Sequence, residues 1–455
     1  MVYVSINPAT AEVLAEYPVL SQEEALALVR RVHECHQTWR TTDFSQRAQL
    51  LNNAAKKLRE NKEEFGRLMS EEMGKPLAES AGEVEKCAWV CEYYAEQGAQ
   101  FLESQPVPTE AGRSYVSFRP LGTVLAIMPW NFPFWQVFRF AAPAMMAGNT
   151  FVLKHAPNVT GCAEAIESLF RDAGFPADSC RVLRAENEVV AQVIADDAIQ
   201  AVTLTGSTRA GRAVAGLAGQ ALKKVVLELG GNDPYLVLED ANLALAAEKC
   251  VASRLINGGQ SCIAAKRLIV VDAVREAFEK RVRDLMATKT FGNPFAGSFD
   301  LGPMARRDLR DELHRQVRES VAGGAKLELG GEIPPGNGYF YPPTLLTEVP
   351  TTVPAFREEL FGPVAAIVPA RDEAEAIRLA NDSCFGLGGA IFTRDIERGN
   401  RIAEKELRAG ACFVNDFVRS DPRLPFGGIR DSGYGRELSI FGIREFVNVK
   451  TVYVK

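Results

Sequence analysis

The 455-residue chain lacks the features that announce several large classes of protein. No window offers about eighteen uninterrupted apolar residues, so no membrane-crossing helix is expected. Its first residues, MVYVSINPAT, show no charged segment followed by an apolar one, so they do not read as a secretory signal. A cytoplasmic location is therefore expected. No block of Lys or Arg stands out among 52 basic and 58 acidic residues, and the net charge is -6. The counterion release that drives nucleic-acid binding has nothing to work with here. The nine cysteines form no repeated C-x-x-C pair, and the four histidines, His33, His36, His155 and His314, keep no metal-ligand spacing. Neither a disulfide framework nor a metal site is indicated, and Cys87 and Cys91, four apart in a helical pattern, read as packing. What remains is a globular protein that acts on a small molecule.

A composition of 47% hydrophobic and 24% charged residues is enough, at this length, to build two or three domains. From Ser21 to about Gln105 the period is helical, in three segments. After Pro108 the texture becomes strand-rich, and then alternates regularly. LGTVLAIM, TFVLKHA, CRVLRA, AVTLTG and VVLEL read as strands separated by helical patterns, which means right-handed crossovers and a doubly wound parallel sheet. A second alternation follows ELGGNDP, through AKRLIVV, PVAAIVPA, GGAIFT and GACFVN. Two α/β domains meeting near residues 228 to 262 make a cleft. The closing REFVNVKTVYVK alternates like an edge strand suited to pairing with another chain or an outlying hairpin.

Four stretches could carry chemistry. In TGSTRAG, from Thr205 to Gly211, a strand opens directly into a helix, whose N-terminal N–H groups and dipole suit a phosphate. It is not G-x-G-x-x-G, and a plain turn is an equal reading. PWNFPFW, Pro129 to Trp135, places the Asn131 amide after a strand, either as a hydrogen-bond donor or within a rigid aromatic loop. Glu228 ends an apolar strand just before two glycines, where poor solvation raises a carboxyl pKa and suits a general base, although a paired carboxylate reads equally well. Cys262, in INGGQSCIAAKR, is the one cysteine set behind a Gly-Gly pair, where the backbone bends and a thiolate can face a ligand.

Taken together, PWNFP at Pro129, TGS at Thr205, ELGG at Glu228, GGQSC ending at Cys262, EELFGPV from Glu358 and PFGGIRDSGYGRE from Pro425 resemble the NAD(P)-dependent aldehyde dehydrogenase superfamily, in order and spacing, over almost the whole chain. The resemblance implies a Rossmann-like parallel-sheet cofactor domain (1–105 and 124–228). It also implies a second α/β catalytic domain (229–425) and a small β arm for oligomerisation (106–123 and 436–455), in a homodimer or homotetramer. It implies attack by Cys262 on an aldehyde, with the oxyanion held by Asn131 and the Cys262 N–H. Hydride transfer then leaves a thioester, which water activated by Glu228 hydrolyses.

For the cofactor, NAD or NADP, the same resemblance implies Trp130, Lys154, Gly206, Ser207, Glu359 and Phe361. One position departs from the pattern. Many NAD-preferring members carry a Glu three residues after the lysine to grip the ribose, and this chain has Pro157, so a 2′-phosphate is not repelled. Within the superfamily the chain is most similar to succinate-semialdehyde dehydrogenases, which implies substrate carboxylate contacts from Arg139 and from the loop at Ser420. Ile256 stands where some members have a second arginine, leaving that half of the clamp to Arg419 or Arg254. Other readings are a dehydrogenase of another aliphatic or carboxylated aldehyde such as glutarate semialdehyde, a CoA-acylating enzyme, which Glu228 opposes, and a catalytically silent binding protein.

Overall fold

The apolar runs between residues 123 and 228 become one parallel sheet in the computed structural model, which describes every residue from Met1 to Lys455. Its order is Lys224–Glu228, Ile199–Thr205, Thr123–Met128, Thr150–His155 and Cys180–Val182, with Gly433–Tyr434 added antiparallel beside Lys224–Glu228. The central strands are buried on both faces, so they read as continuous apolar runs rather than as alternation. Helices Leu77–Phe101, Trp135–Met146 and Thr160–Asp172 cover one face, and Gln22–Trp39, Asn187–Ala195 and Thr208–Gln220 cover the other.

The second sheet runs Lys326–Leu329, Thr344–Thr347, Val364–Ala370, Arg267–Val271, Pro234–Val237, Gly388–Phe392 and Ala411–Val414, parallel except at its first pair. A third, antiparallel sheet joins Gln105–Pro106, Arg113–Pro120 and Val447–Val454. Its outer strand leaves Val449, Tyr453 and Val454 exposed. No helix is long and apolar enough to cross a membrane.

The way the sheets meet positions the site. PWNFP, TGS and ELGG leave the carboxyl ends of neighbouring strands in the first sheet. The Cys262 and Glu359 loops enter the amino ends of Arg267–Val271 and Val364–Ala370 in the second. Carboxyl edge faces amino edge across the cleft.

Several elements differ from the sequence reading. Four helices precede Gln105 rather than three, because Asn61, at φ -105° and ψ 19°, leaves helical geometry and splits a periodic segment into Phe44–Glu60 and Lys62–Met73. A hairpin of Val2–Ile6 and Val13–Pro18 was not anticipated, nor were helix Arg307–Ala322 and strands Pro234–Val237, Lys326–Leu329 and Thr344–Thr347. The segment between GGAIFT and GACFVN is α-helical only over Ile396–Arg401 and continues as a π turn.

Buried Arg267 ties this sheet to its surroundings. Its Nε and Nη2 donate to Asn232 O at 3.0 and 2.9 Å, Nη1 to Leu379 O at 2.8 Å, and Nη2 to Ala380 O at 2.9 Å. Replacing it leaves buried carbonyls unpaired at about 1–3 kcal/mol each. Arg267→Met is therefore expected to lower the thermal melting temperature by several degrees, whereas an unchanged melting curve would show that the carbonyls find other donors.

Candidate active site

The segment before the nucleophile is bent by three consecutive left-handed residues, Asn257, Gly258 and Gly259, at φ 55°, 62° and 75°. A Cβ on Gly259 would come 2.2 Å from Gly362 O, so only glycine allows this approach. The bend is pinned on every side. Glu79 accepts from Asn257 N at 2.8 Å, and the Asn257 side chain donates to Asn131 O and Gln260 O at 2.7 and 3.1 Å. Lys266, buried four residues after the nucleophile, donates to Ser261 O and Cys262 O at 2.8 and 2.6 Å and pairs with Glu359 Oε1 at 3.1 Å.

Asn131 is tied to the bend that carries Cys262. Asn131 Nδ2 donates to Gln260 O at 3.1 Å, which leaves its second amide hydrogen available, and the Cys262 N–H makes no hydrogen bond within the chain. Burial pushes the thiol up to about 12, with Lys266 and Arg139 pulling the other way, so the resting group is the neutral thiol.

The thiol opens into a cavity of about 290 Å³. Phe132, Trp135, Ile256, Ile263, Phe417 and Phe426 supply much of its apolar wall, and its polar lining includes the cations Arg139, Arg419 and Lys86, the carboxylates Glu79 and Glu83, and Ser420. Arg139 therefore reaches this space, but its charge is already balanced. Its Nε abuts Glu437 Oε2 as a contact of charges rather than an aligned hydrogen bond, Nη2 donates to Thr205 Oγ1 at 3.3 Å, and the guanidinium lies 4.7 Å from the centre of the Phe426 ring. Arg254 is turned away from the cavity, its guanidinium donating to the carbonyls of Gly259 and Ala265, so it is a brace for the bend and no candidate for a clamp.

Glu228 lies behind this wall rather than on it. Both carboxyl oxygens are buried without a hydrogen-bond partner, and a Cβ on Gly427 would come 2.6 Å from Oε1. Burial raises Glu228 well above the usual carboxylate range, Glu437 adds to the rise and Arg139 opposes it. One guanidinium faces two carboxyl groups, and because it pairs with Glu437, the proton belongs on Glu228.

Of the residues expected at the cofactor, Glu359 is tied to the Cys262 loop through Lys266, and Trp130, Lys154, Gly206 and Ser207 sit at the carboxyl ends of strands in the first sheet. Trp130 and Phe361 meet edge to face at 5.7 Å. Glu359 Oε1 accepts from Gly231 N at 3.0 Å, and its Oε2 would touch a Cβ on Gly230. Lys154 lies one residue before the end of its strand and is largely buried, its ammonium 5.8 Å from the Tyr3 ring and its pKa lowered by burial, and Pro157 opens the 3-10 turn Pro157–Val159. Ser207 Oγ caps helix Thr208–Gln220 by accepting from Ala210 N at 3.2 Å, while Gly206 N donates to Glu228 O at 2.9 Å. An anion at this turn would meet the backbone N–H groups of Ser207 and Thr208 and the helix dipole. A carboxylate over two glycines, a largely buried lysine and the backbone N–H groups of Ser207 and Thr208 at a helix start fit a dinucleotide.

Sequence reasoning passed over Lys86, Lys266 and Glu437. The first two sit in patterns that read only as helix or loop, whereas Glu437 closes the PFGGIRDSGYGRE stretch and could have been found there.

A buried thiol beside an amide donor, a protonated carboxyl group behind the wall and a strand-to-helix turn that fits a dinucleotide suit a thiol-based oxidoreductase of carbonyl compounds. The chain belongs to the aldehyde dehydrogenase family, whose model matches residues 2–452. It is 48% identical over 450 residues to a succinate semialdehyde dehydrogenase [NAD(P)+] of Escherichia coli, with 99% of this chain and 97% of that protein covered. It is 46% identical to a probable NADP-dependent succinate-semialdehyde dehydrogenase of Synechocystis, with both chains fully covered. A succinic semialdehyde dehydrogenase from Streptococcus pyogenes, solved in complex with NADP+, superposes with a TM-score of 0.97 at 37% identity, covering 99% of each chain.

The raised Glu228 value has a consequence for stability. A carboxyl group whose folded pKa lies above its unfolded one stabilises the fold fully below the unfolded value, near 4.5, and that stability is lost as pH rises toward the folded value. Glu228→Gln keeps the neutral form at every pH. Its melting temperature is expected to gain on the wild type as pH is raised from about 5 to 9, and a difference that does not move with pH would mean that Glu228 is ionised at rest.

Proposed function

We propose that the chain oxidises succinate semialdehyde to succinate with NAD or NADP, through a thiohemiacetal and a thioester on Cys262. The observation that carries this reading is one cavity that holds the thiol, the basic groups Arg139, Arg419 and Lys86 and an aromatic and aliphatic wall, while its two carboxylates, Glu79 and Glu83, are engaged within the chain. Such a wall suits the methylenes of a short ω-carboxylated aldehyde, and the relatives named above support the substrate.

In this reading Cys262 Sγ loses its proton and bonds to the aldehyde carbon, and the oxyanion is met by the free Asn131 amide hydrogen and the Cys262 N–H. Loss of such a donor typically costs about a hundredfold or more in rate. The bound nicotinamide supplies a hydride acceptor. Lys266 holds the Cys262 carbonyl and Glu359 together, so that the nucleophile and the ribose-binding carboxylate share one brace. Glu228 must give up its proton and rotate from behind Arg139 to take one from the hydrolytic water, so deacylation speeds up as pH rises. Lys154, Pro157, Gly206, Ser207, Glu359, Phe361 and Trp130 form the cofactor side, and the absence of a carboxylate at Pro157 supports acceptance of NADP. The three sheets support the division into cofactor domain, catalytic domain and arm at the boundaries given above. The exposed strand Val447–Val454 supports assembly into a homodimer or homotetramer, and a cytoplasmic location completes the proposal.

Two measurements check this reading. Cys262→Ala is expected to abolish turnover, and Glu228→Ala to give about one equivalent of NAD(P)H per active site followed by little steady-state rate; a full steady-state rate in the second variant would remove Glu228 from its role. For the wild type, kcat/KM for succinate semialdehyde is expected to exceed that for butanal by about a hundredfold with either cofactor, in line with a charge-assisted contact. Equal values would overturn the assigned substrate.

A further inference from the structure

The three cations of the cavity are not equivalent. Arg139 is balanced by Glu437. Arg419, half exposed, donates from Nη1 to Asp416 Oδ2 at 2.6 Å. Lys86, on helix Leu77–Phe101, forms no ion pair within the chain. Its Nζ donates to Ser420 Oγ at 2.8 Å and lies 4.2 Å from the centre of the Trp135 ring. The carboxylates nearest to it are spoken for: Glu83, one turn earlier, pairs with Lys75 and accepts from Phe134 N and Trp135 N at 2.9 Å, and Asp421 is held by Arg423 at 2.7 Å. Burial and the Arg139 charge lower Lys86 to about 8. A poorly solvated ammonium without a counter-ion, facing a space that also holds the nucleophile, favours an anionic ligand there.

We infer that Lys86 is the group that holds the distal carboxylate of the aldehyde substrate, with the Ser420 hydroxyl as a second donor. Ser420 Oγ accepts from Lys86, so its own hydrogen is left to donate to a carboxylate oxygen, and the Trp135 face keeps the ammonium aimed into the cavity. Arg139 then contributes its field from beside Glu437 and not a bidentate fork. This assignment rests on the succinate semialdehyde reading and names the contact that reading needs in place of an arginine at Ile256.

The test compares kcat/KM for succinate semialdehyde and for butanal in the wild type, Lys86→Gln and Lys86→Met. The Gln variant keeps a polar group at the wall should the Met variant fail to fold. Butanal serves as the control for an intact thiol and cofactor site. The ratio of the two values is expected to fall about ten- to a hundredfold in the variants, mostly through KM. A ratio within about threefold of the wild type would overturn the role of Lys86 while leaving the substrate assignment standing. A wild type with no preference for the charged aldehyde would overturn the substrate assignment itself. Lys86→Arg, which keeps the charge, is expected to retain most of the preference, and its loss there would also count against a charge contact.

Discussion

The site depends on how one positive charge is shared between two buried carboxyl groups. Arg139 stands between Glu437 and Glu228, and all three are withdrawn from water. A single guanidinium cannot neutralise both acids in such surroundings, so the acid without a partner keeps its proton. Glu437 is delivered by the segment that adds Gly433–Tyr434 to the edge of the first sheet, and Glu228 ends the neighbouring strand, its register partner being Gly433. The protonation state of the proposed base is therefore set by sheet pairing. It also determines which side of the redox step is easy. In the proposed reaction a neutral Glu228 leaves the Cys262 thiol free of a competing negative charge, and an ionised one is needed only once a thioester has formed.

A second constraint is steric. The left-handed run through Asn257, Gly258 and Gly259 folds the chain tightly against Gly362, and that contact joins the nucleophile loop to the loop carrying Glu359 and Phe361. Gly231 continues the arrangement, since a Cβ there would lie 2.6 Å from Cys262 O. The glycines of GGQSC, ELGG and EELFGPV thus serve one purpose, which is to let three backbones from two sheets approach closely enough for Lys266 to brace them.

These constraints explain which parts of the protein were legible in its sequence. The parallel strands of the first sheet were readable because both faces are buried, so the apolar run and the following turn coincide. The motifs were readable because a glycine that permits a backbone contact cannot be replaced. Pro234–Val237 was missed because it follows Lys224–Glu228 after a short glycine-containing turn with no helix between them, and Thr344–Thr347 because it follows an irregular stretch rich in glycine and proline, so neither continues the strand–helix alternation. Arg307–Ala322 was missed although its pattern is amphipathic, since it lies between long irregular stretches that gave no alternation to extend. Charge pairing was the least legible of all. Arg139 reads the same whether it faces a ligand or Glu437, nearly three hundred residues away along the chain.

That last point changes the meaning of Ile256. Judged against an arginine-based clamp, an isoleucine at the mouth of the bend looks like a missing half. In the structure Ile256 lines the cavity wall beside Phe132 and Phe417, directly before a backbone N–H that Glu79 already satisfies. An arginine there would set a third guanidinium into a cavity that already holds Arg139, Arg419 and Lys86, with Glu79 and Glu83 both engaged elsewhere, and its desolvation would go unbalanced until substrate arrived. An apolar side chain avoids that cost and offers a surface for methylene groups. The cation then comes from a different element, the long helix Leu77–Phe101, where the Trp135 ring and the Ser420 hydroxyl hold an ammonium without neutralising it. Selectivity for a charged aldehyde needs one uncompensated charge at the far wall, and this chain supplies it from a helix that carries none of its recognisable motifs.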